Sequence, residues 1–409
     1  MKKLFIQMRN EWRANLLLMF ELLLVSVVMW FCLDYIVESV MVYAEPRGHD
    51  ISHTYYVNFG RNEHLEGCND VDDIAEFVDR IRRRPEVEAA ALSLYSVPYT
   101  GGMRDVNMWD QDTISPVYVR GLHRWVESDF FRVFRIRGMR GETPERLAEI
   151  LRPGINVVGV TDNAIVDSLG NHIDAVGMIG HLFNLGGYPD HTLAAVTVPM
   201  KRFDYEPYKS NWCGGIFDMM SAPARPVANE LSVRIHENMD DGSFPEKLMT
   251  DAESINFGRY YVMSVNSFSE LRRCAQVKQS AQQRNMATGL VFLLVNIFLC
   301  IFGTFWYRTH LRTSEIAIHK ISGASSACIM GRLIGEGLIL LLLVTPLAFA
   351  ADRALVHLEI VKTYTFTMQH HLLVAVGTTL LMAVMIAVGI WVPAYRAGRI
   401  SPALALRSE

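Results

Sequence analysis

Four long apolar blocks constrain this chain more than any other feature. They run from Leu16 to Leu33, from Met286 to Tyr307, from Leu333 to Ala351 and from Leu372 to Val392. Each block is close to the roughly 20 residues that a helix needs to cross about 30 Å of hydrocarbon. A helix also satisfies its own backbone hydrogen bonds, which lipid cannot do. The sequence therefore predicts four transmembrane helices rather than four buried helices of a soluble protein.

The first block has a second interpretation, because a secretory signal peptide also begins with basic residues and an apolar stretch. The segment Val42–Ala44 loosely fits a cleavage site. However, the apolar stretch is long, and Asp34 and Glu38 lie between it and that site. We therefore expect an uncleaved membrane anchor.

The basic residues predict the orientation of these helices. Segments 1–15, 308–332 and 393–409 together hold 11 Lys or Arg against 3 Asp or Glu, whereas segment 38–285 holds 26 against 35. Loops that remain in the cytoplasm carry an excess of Lys and Arg. Both termini and the middle loop are therefore expected in the cytoplasm, and 38–285 and 352–371 outside it.

The predicted fold class is an α-helical integral membrane protein with four transmembrane helices. A large mixed α/β extracytoplasmic domain is expected between helices 1 and 2. The predicted segments are a cytoplasmic amphipathic N-terminal helix (1–14), transmembrane helix 1 (15–37), the extracytoplasmic domain (38–285), transmembrane helix 2 (286–307), a cytoplasmic loop with a coupling helix (308–332), transmembrane helix 3 (333–351), a short extracytoplasmic loop (352–371), transmembrane helix 4 (372–392) and a cytoplasmic tail (393–409).

Segment 38–285 shows both helical and extended patterns. Asn69 can cap a helix whose apolar residues repeat at helical spacing and which ends before Pro85. The apolar positions of this helix are Ile74, Phe77, Val78 and Ile81. Extended runs are predicted at Val87–Val97, Val117–Arg120, Asn156–Val160, Leu193–Val198 and Leu231–Ile235.

Segment 38–285 carries no recognisable catalytic pattern. It has no GxSxG elbow, no HExxH pair and no paired-His metal spacing. We therefore expect no catalytic, cofactor-binding or metal residues. Its paired acids and its runs of arginine are expected to be solvated, namely Asp72, Asp73, Asp240, Asp241, Arg82–Arg84, Arg132, Arg135, Arg137 and Arg140. At most one disulfide can form among Cys68, Cys213 and Cys274.

The loop between the second and third blocks is long enough for a short helix along the membrane surface. Its isoleucines could dock into a partner's groove, with Glu315 and Lys320 at the rim. Gly323 would end that helix, and Ser325 or Ser326 would cap the next one. On composition alone, an ordinary interfacial connector is the alternative.

Two stretches carry a more specific pattern. The first stretch runs from Arg312 to Glu336. It contains, in order, Arg312, Glu315, Ile316, Ala317, Lys320, Gly323, Ala324, Ser325, Ile329 and Glu336. It resembles the coupling-helix signature of the MacB/LolC/FtsX family of ABC permeases. The tail from Pro393 to Glu409 resembles the C-terminus of that family, and segment 38–285 resembles its MacB-like periplasmic core domain. The resemblance implies an ATPase-coupling loop formed by Arg312, Glu315, Ile316, Ile318, Lys320, Gly323 and Glu336.

One departure from MacB itself defines the expected partners. MacB carries a fused nucleotide-binding domain, but this chain has no GxxxxGK[ST] phosphate loop. The chain is therefore expected to be non-catalytic and to bind no cofactor, with ATP and Mg on a separate ABC ATP-binding subunit. Further expected partners are a second permease protomer, identical or homologous, membrane lipid, and in some family members a periplasmic adaptor and an outer-membrane channel. No nucleic acid is expected.

The resemblance implies a function at the bacterial inner membrane. The permease would transmit ATP-driven motion to its periplasmic domain to export or extract a peptide, an antibiotic or a lipoprotein. The alternative is an FtsX-like regulatory scaffold that activates a cell-wall hydrolase. A membrane-anchored ectoenzyme is a third interpretation. Glu21 and Glu336 lie inside apolar blocks, but a proton pathway would need more buried titratable groups than these.

Overall fold

The structure is a computed structural model. It describes residues 12–65, 69–110, 117–153, 156–185, 188–208, 213–311, 318, 321–358 and 368–399. The chain divides into two compact units. We call Met41–Ser280 the sheet unit, and the described residues of Met1–Val40 and Ala281–Glu409 the helical unit.

The described residues of the sheet unit form eleven strands and several short helices. The strands are β1 (Thr54–Arg61), β2 (Val87–Leu94), β3 (Asp105–Asp110), β4 (Tyr118–Val126), β5 (Val157–Thr161), β6 (Ile165–Val166), β7 (Leu182–Leu185), β8 (Tyr188–Thr197), β9 (Gly215–Met219), β10 (Glu230–Ile235) and β11 (Tyr260–Ser267). The helices, in chain order after the first long helix α1 (Trp12–Ala44), are α2 (Asp70–Arg82), α3 (Phe130–Val133), α4 (Pro144–Ile150), α5 (Phe244–Thr250) and α6 (Ala252–Ile255).

The strands form one mixed sheet that closes partly on itself. The order is β11-β1-β10-β2-β4-β3-β7-β8-β5-β9, and β9 also pairs with β4 in parallel. Strands β4, β3, β7, β8, β5 and β9 therefore form a ring, whereas β11, β1, β10 and β2 form an open antiparallel extension. Gly121 is needed where the ring closes, because a Cβ there would lie 2.5 Å from the carbonyl of Gly214.

Separate hydrophobic cores fill the two parts of this sheet. Helix α2 packs Ile74, Phe77 and Ile81 against the open extension. The ring encloses a second core that includes Val119, Val158, Ile165, Phe183, Leu193 and Ile216. The predicted cap of α2 is confirmed, because Asn69 Oδ1 accepts a hydrogen bond from the Val71 amide at 3.2 Å.

The helical unit contains most of α1 and three further long helices. These are α7 (Phe268–Leu311), whose first residues belong to the sheet unit, α8 (Ser326–His357) and α9 (Met368–Arg399). Within the described residues, four segments are long and apolar enough to cross a membrane: Leu18–Ala44, Phe268–Thr304, Ala327–Leu355 and His370–Trp391. The mixed α/β sheet unit lies in the chain between the first and the second of them.

The long helices share a buried apolar core and expose large apolar side chains around it. The core includes Leu22, Met29, Ile297, Leu340, Val344, Met382 and Ile386. The exposed set includes Phe20, Phe292, Leu299, Leu342 and Leu380, each more than half exposed. Exposed apolar surface of this kind matches a hydrocarbon environment.

Helix α7 begins much earlier than its apolar block. It starts at Phe268, inside segment 38–285 that the sequence assigns to the outer domain, and continues without interruption to Leu311. Ser267 caps it, because Ser267 Oγ accepts a hydrogen bond from the Glu270 amide at 3.2 Å. One continuous helix therefore connects β11 with the start of the predicted coupling loop.

Candidate functional site: the junction at the ends of the long helices

The end of α1 and the start of α7 are attached to the same loop of the sheet unit. This loop follows β8 and includes Lys201 and Asp204. We call Tyr43, Glu45, Lys201, Asp204 and Arg272 the junction. All five lie within the sheet unit.

Lys201 holds the end of α1. Its side chain is 1 % exposed, and Nζ lies 3.0 Å from Glu45 Oε2. Nζ also donates to the Val42 carbonyl of α1, and the Lys201 amide donates to the Arg47 carbonyl at 3.0 Å. A buried ammonium is tolerated only where a charge and hydrogen-bond acceptors compensate it, so Lys201 fixes the path of the chain where it leaves α1.

Asp204 holds the start of α7. The Arg272 guanidinium donates to Asp204 Oδ2 through Nε at 2.7 Å, and Tyr99 OH donates to Oδ1 at 2.7 Å. Gln276, one turn further along α7, donates to the same carboxylate. Burial raises the pKa of Asp204, but the hydrogen bonds from Tyr99 and Arg272 outweigh it and leave that pKa below its usual value. The carboxylate is therefore ionised at neutral pH and binds two successive turns of the helix.

Arg272 also connects the two helix ends directly, because its Nη2 donates to Tyr43 OH at 3.2 Å. Beside it, Phe268 is fully buried and packs edge to face on Phe134, with 5.2 Å between ring centroids. The first turn of α7 is thus held by an aromatic contact in the core and by charged hydrogen bonds at its rim. A displacement of α7 along its axis would have to break both.

A buried arginine, Arg124, forms hydrogen bonds that stabilise the loop after β8. The Arg124 side chain donates to the Ser96 carbonyl at 2.5 Å and to the Met200 carbonyl at 3.2 Å. Burial lowers the pKa of Arg124 to about 10, which still leaves it charged at neutral pH. Met200 directly precedes Lys201, so β4 and the junction loop are hydrogen-bonded through this cation.

Two predictions about surface charges were wrong. Asp73 is 7 % exposed and accepts from the Arg259 amide at 3.2 Å. Asp240 accepts from Tyr55 OH at 2.6 Å and lies 2.7 Å from His53 Nδ1. Both acids therefore join elements of the sheet unit, because partners distant in sequence enclose them.

The first arginine run also differs from the prediction of a solvated face. Arg82 lies 2.7 Å from the buried carboxylate of Glu127, and Arg84 lies 2.6 Å from Glu86. Only Arg83 keeps a mostly exposed side chain, at 65 %. These arginines fix α2 on the sheet.

The predicted coupling loop is described only in part. Arg312, Glu315, Ile316 and Lys320 lie outside the described residues, so their placement stays a prediction. Ile318 and Ile321 are 56 % and 60 % exposed. Their apolar side chains are therefore available for contact with a partner.

The end of this loop has the turn chemistry that its sequence predicts. Gly323 has a φ of +93°, in the left-handed region that favours glycine. Ser325 Oγ accepts from the Cys328 amide at 3.2 Å and so caps α8. Glu336 is 6 % exposed and lies 3.9 Å from Arg332 Nε, one turn earlier on α8. The structure does not bring Glu336 into a described contact with Ile318 or Gly323.

The cysteines give no disulfide among the described residues. Cys213 is buried and Cys274 exposed, and both are free, while Cys68 lies outside the described residues. Burial raises the pKa of the Cys213 thiol, with the nearby Glu206 carboxylate acting in the same direction. This thiol is therefore protonated at neutral pH. Within the described residues there is also no group of His, Cys, Asp and Glu placed to hold a metal ion.

Comparisons with known proteins give solved structures that are similar to part of the chain. No family model and no curated relative matches the sequence. The periplasmic region of MacB from Actinobacillus actinomycetemcomitans is similar with a TM-score of 0.33 and 10 % identity, over 59 % of this chain and 98 % of that one. The extracellular domain of the noncanonic ABC-type transporter YknZ from Gram-positive bacteria is similar with a TM-score of 0.31 and 11 % identity, over 52 % and 100 %.

Both neighbours are periplasmic or extracellular domains. MacB is also one of the proteins after which the MacB/LolC/FtsX family is named. Neither TM-score reaches 0.5. The proposed function therefore depends on this chain's own residues.

Proposed function

We propose that this chain is the membrane-embedded permease subunit of an ABC-type machine of the MacB/LolC/FtsX kind. It lies in the bacterial inner membrane with both termini in the cytoplasm and the sheet unit outside. Its task is to transmit ATP-driven motion from a separate ATPase subunit to the sheet unit. There it exports or extracts a substrate, for which the sequence resemblance implies a peptide, an antibiotic or a lipoprotein.

The observation that carries this proposal is the attachment of one uninterrupted helix to the sheet unit. Helix α7 runs from Phe268 to Leu311, directly before the coupling loop. Its first turns are fixed by Arg272, Gln276 and Phe268. A continuous helix with a fixed end is a rigid element through which two distant sites can be coupled.

The cytoplasmic part of the mechanism uses the coupling loop. Exposed Ile318 and Ile321 supply apolar contacts for the ATPase subunit, and Gly323 gives the turn that leads into α8. Arg312, Glu315, Ile316 and Lys320 complete the contact in this proposal. A second permease protomer, identical or homologous, would bind the second ATPase subunit.

The decisive experiment measures motion in the sheet unit of the assembled complex. The chain is co-expressed with the ATP-binding subunit encoded beside it and purified in lipid nanodiscs. A spin label is placed at exposed Lys247 on α5 of each of the two permease protomers. We expect ATP to change the distance between the labels and ADP to restore it. A complex that hydrolyses ATP with an unchanged label distance would contradict the proposal, as would failure of any ATP-binding subunit to assemble.

A further inference from the structure

Four ionisable side chains from three helices lie together inside the helical unit. Asp34 is on α1, Asp352 on α8, and His370 and His371 on α9. Their exposed fractions are 6 %, 6 %, 5 % and 1 %. Asp34 Oδ1 lies 2.8 Å from His370 Nε2, and the two histidine rings meet edge to face, with 5.9 Å between centroids. The charge of Asp34 also acts on both Asp352 and His371. We call these four residues the acid–imidazole cluster.

Only some of the hydrogen-bonding atoms of this cluster have a partner among the described residues. Asp34 and His370 are hydrogen-bonded. Within the described part of the chain, however, neither ring nitrogen of His371 has a hydrogen-bond partner, nor do His370 Nδ1 and Asp352 Oδ2. Buried polar groups without partners are costly and uncommon in proteins. Ionisable groups at membrane depth are retained chiefly where they bind an ion or a proton.

Among the described residues, few other charges face the cluster. Arg353, next to Asp352 but exposed, is the cation that acts on both Asp352 and His371. On α1, Tyr35 and Glu38 follow Asp34 and are half-buried. Segment 285–307 of α7 has no charged residue.

A small cavity lies on the same helix faces. Its volume is about 10 Å³, about enough for a single water molecule. Ser26 and Trp30 line it from α1, Thr345 from α8 and Thr378 from α9. Ser26, Trp30 and Asp34 occupy successive turns of one face of α1, and Ser26 Oγ and Trp30 Nε1 have no protein partner among the described residues. Polar groups thus continue from the cluster into the bundle.

The net charge of the cluster depends on the number of protons that its two carboxyl groups and two imidazole rings hold. In the arrangement in which the pair of Asp34 and His370 is neutral overall, Asp352 is ionised and His371 is neutral, one negative charge remains in a buried site. One more proton, on the Asp352 carboxylate or on a His371 ring nitrogen, neutralises the cluster.

We propose that the acid–imidazole cluster is a reversible proton-binding site inside the helical unit. The geometry favours a proton over a metal ion, since the described residues hold no group of three or more ligands placed for a metal. The site consists only of residues of this chain, so it does not depend on the ATPase partner.

The test uses the full chain in lipid nanodiscs and pH-difference infrared spectroscopy. Between about pH 8 and pH 5, where imidazole titrates, we expect the wild-type protein to gain a band from a buried carboxylic acid or from an imidazolium ring. Labelling histidine with ¹³C separates the two cases by the shift of the ring band. The double variant Asp352→Asn, His371→Gln should lose that band. The matched control Asp105→Asn, His64→Gln changes one exposed acid and one exposed histidine of the sheet unit and should retain it.

Two results would overturn the proposal. One is a wild-type spectrum with no pH-dependent band from a buried group, which needs no variant at all. The other is a band that persists unchanged in the double variant. If the double variant does not fold, the single variant Asp352→Asn is measured with ¹³C-labelled histidine instead. A proton that binds to His371 is then still detected through the shifted ring band.

Discussion

Arg272 Nε donates to Asp204 Oδ2 at 2.7 Å, and this contact joins α7 to the loop that follows β8. Asp204 is 2 % exposed, whereas the Arg272 side chain is 27 % exposed. The contact is therefore a buried carboxylate held by a cation at the rim of the core. Because α7 continues from here to Leu311, this contact holds the first turns of the helix that leads to the predicted coupling loop.

The first prediction concerns this attachment. Arg272→Ala leaves the buried carboxylate of Asp204 with Tyr99 and Gln276 as its remaining donors. A lost hydrogen bond to a charged group lowers the free energy of unfolding of the sheet unit by about 2 kcal/mol. Denaturant unfolding followed by tryptophan fluorescence measures this loss. In the ATPase complex, we also expect hydrolysis to continue while the ATP-driven change in label distance is lost.

The neighbouring residue provides a matched control. Arg273 has a side chain that is 79 % exposed and pairs with Glu270, one turn earlier on the same helix. Exposed pairs of this kind contribute about 0.5 kcal/mol or less. Arg273→Ala should therefore leave both the stability and the label distances near wild type. Equal effects of the two substitutions would argue against a specific role for Arg272.

The second prediction concerns the other half of the junction. Lys201→Met keeps most of the buried volume but removes the donor to the Val42 carbonyl and the partner of Glu45. We expect a loss of about 2 kcal/mol in the free energy of unfolding. Lys247→Met is the control, since Lys247 and its partner Asp241 are 52 % and 61 % exposed. A Lys201→Met protein as stable as the Lys247→Met protein would show that the buried pair does not hold α1.

Local signals predicted much of the secondary structure. The cap at Asn69 depends on residues within one turn of it, and it forms as expected. The turn at Gly323 and the cap at Ser325 likewise depend on near neighbours. The apolar blocks predicted the four long helices, because a segment that can span a membrane is recognised from its length and hydrophobicity alone.

Contacts between residues distant in sequence could not be predicted in the same way. Lys201 and Asp204 lie in a polar stretch that is indistinguishable from solvated surface until α1 and α7 are placed beside it. His370 reaches Asp34 across 336 positions of the chain. Segment 352–371 was also expected to be an external loop, whereas Asp352 belongs to α8 and His370 to α9. Two helices that extend beyond their apolar blocks thus placed buried titratable groups where the sequence indicated none.

The third prediction concerns the pH dependence of the sheet unit. Burial, with Arg47 and Arg124 nearby, lowers the pKa of His49 to about 3. His49 Nδ1 lies 3.0 Å from the Arg47 carbonyl oxygen, and its Nε2 is buried without a partner among the described residues. The folded protein therefore keeps His49 neutral, while the unfolded chain protonates it below its ordinary pKa of 6.5.

Because the unfolded state binds this proton more readily, acid stabilises the unfolded state. His49 therefore makes the free energy of unfolding fall by about 1.4 kcal/mol for each pH unit between the two pKa values. Above the unfolded pKa this contribution is constant. Unfolding of the wild-type protein at a series of pH values should show the slope, and His49→Gln should reduce it. His64→Gln, at an exposed position, should not. An unchanged slope in His49→Gln would mean that other groups cause the acid sensitivity.

The fourth prediction concerns the coupling loop. The Ser322 amide donates to the Ile318 carbonyl at 3.0 Å, and Gly323 then leaves this turn with a φ of +93°. A Cβ at Gly323 would meet no atom within 4 Å, so Gly323→Ala costs only backbone strain. That strain is about 1 kcal/mol in the left-handed region, which changes the population of the native turn about fivefold. In the ATPase complex we expect a smaller ATP-driven change in label distance at a similar rate of hydrolysis.

Gly331 provides the matched control for the Gly323→Ala substitution. It lies within α8 and also has no atom within 4 Å of a Cβ, but its φ is not positive. Gly331→Ala therefore adds the same methyl group without strain, and helix propensity favours alanine over glycine by about 0.8 to 1 kcal/mol. This variant should couple as well as wild type. If Gly331→Ala uncouples the complex as strongly as Gly323→Ala, close helix approach is responsible and the left-handed turn is not. If neither does, the loop around Gly323 does not transmit the motion.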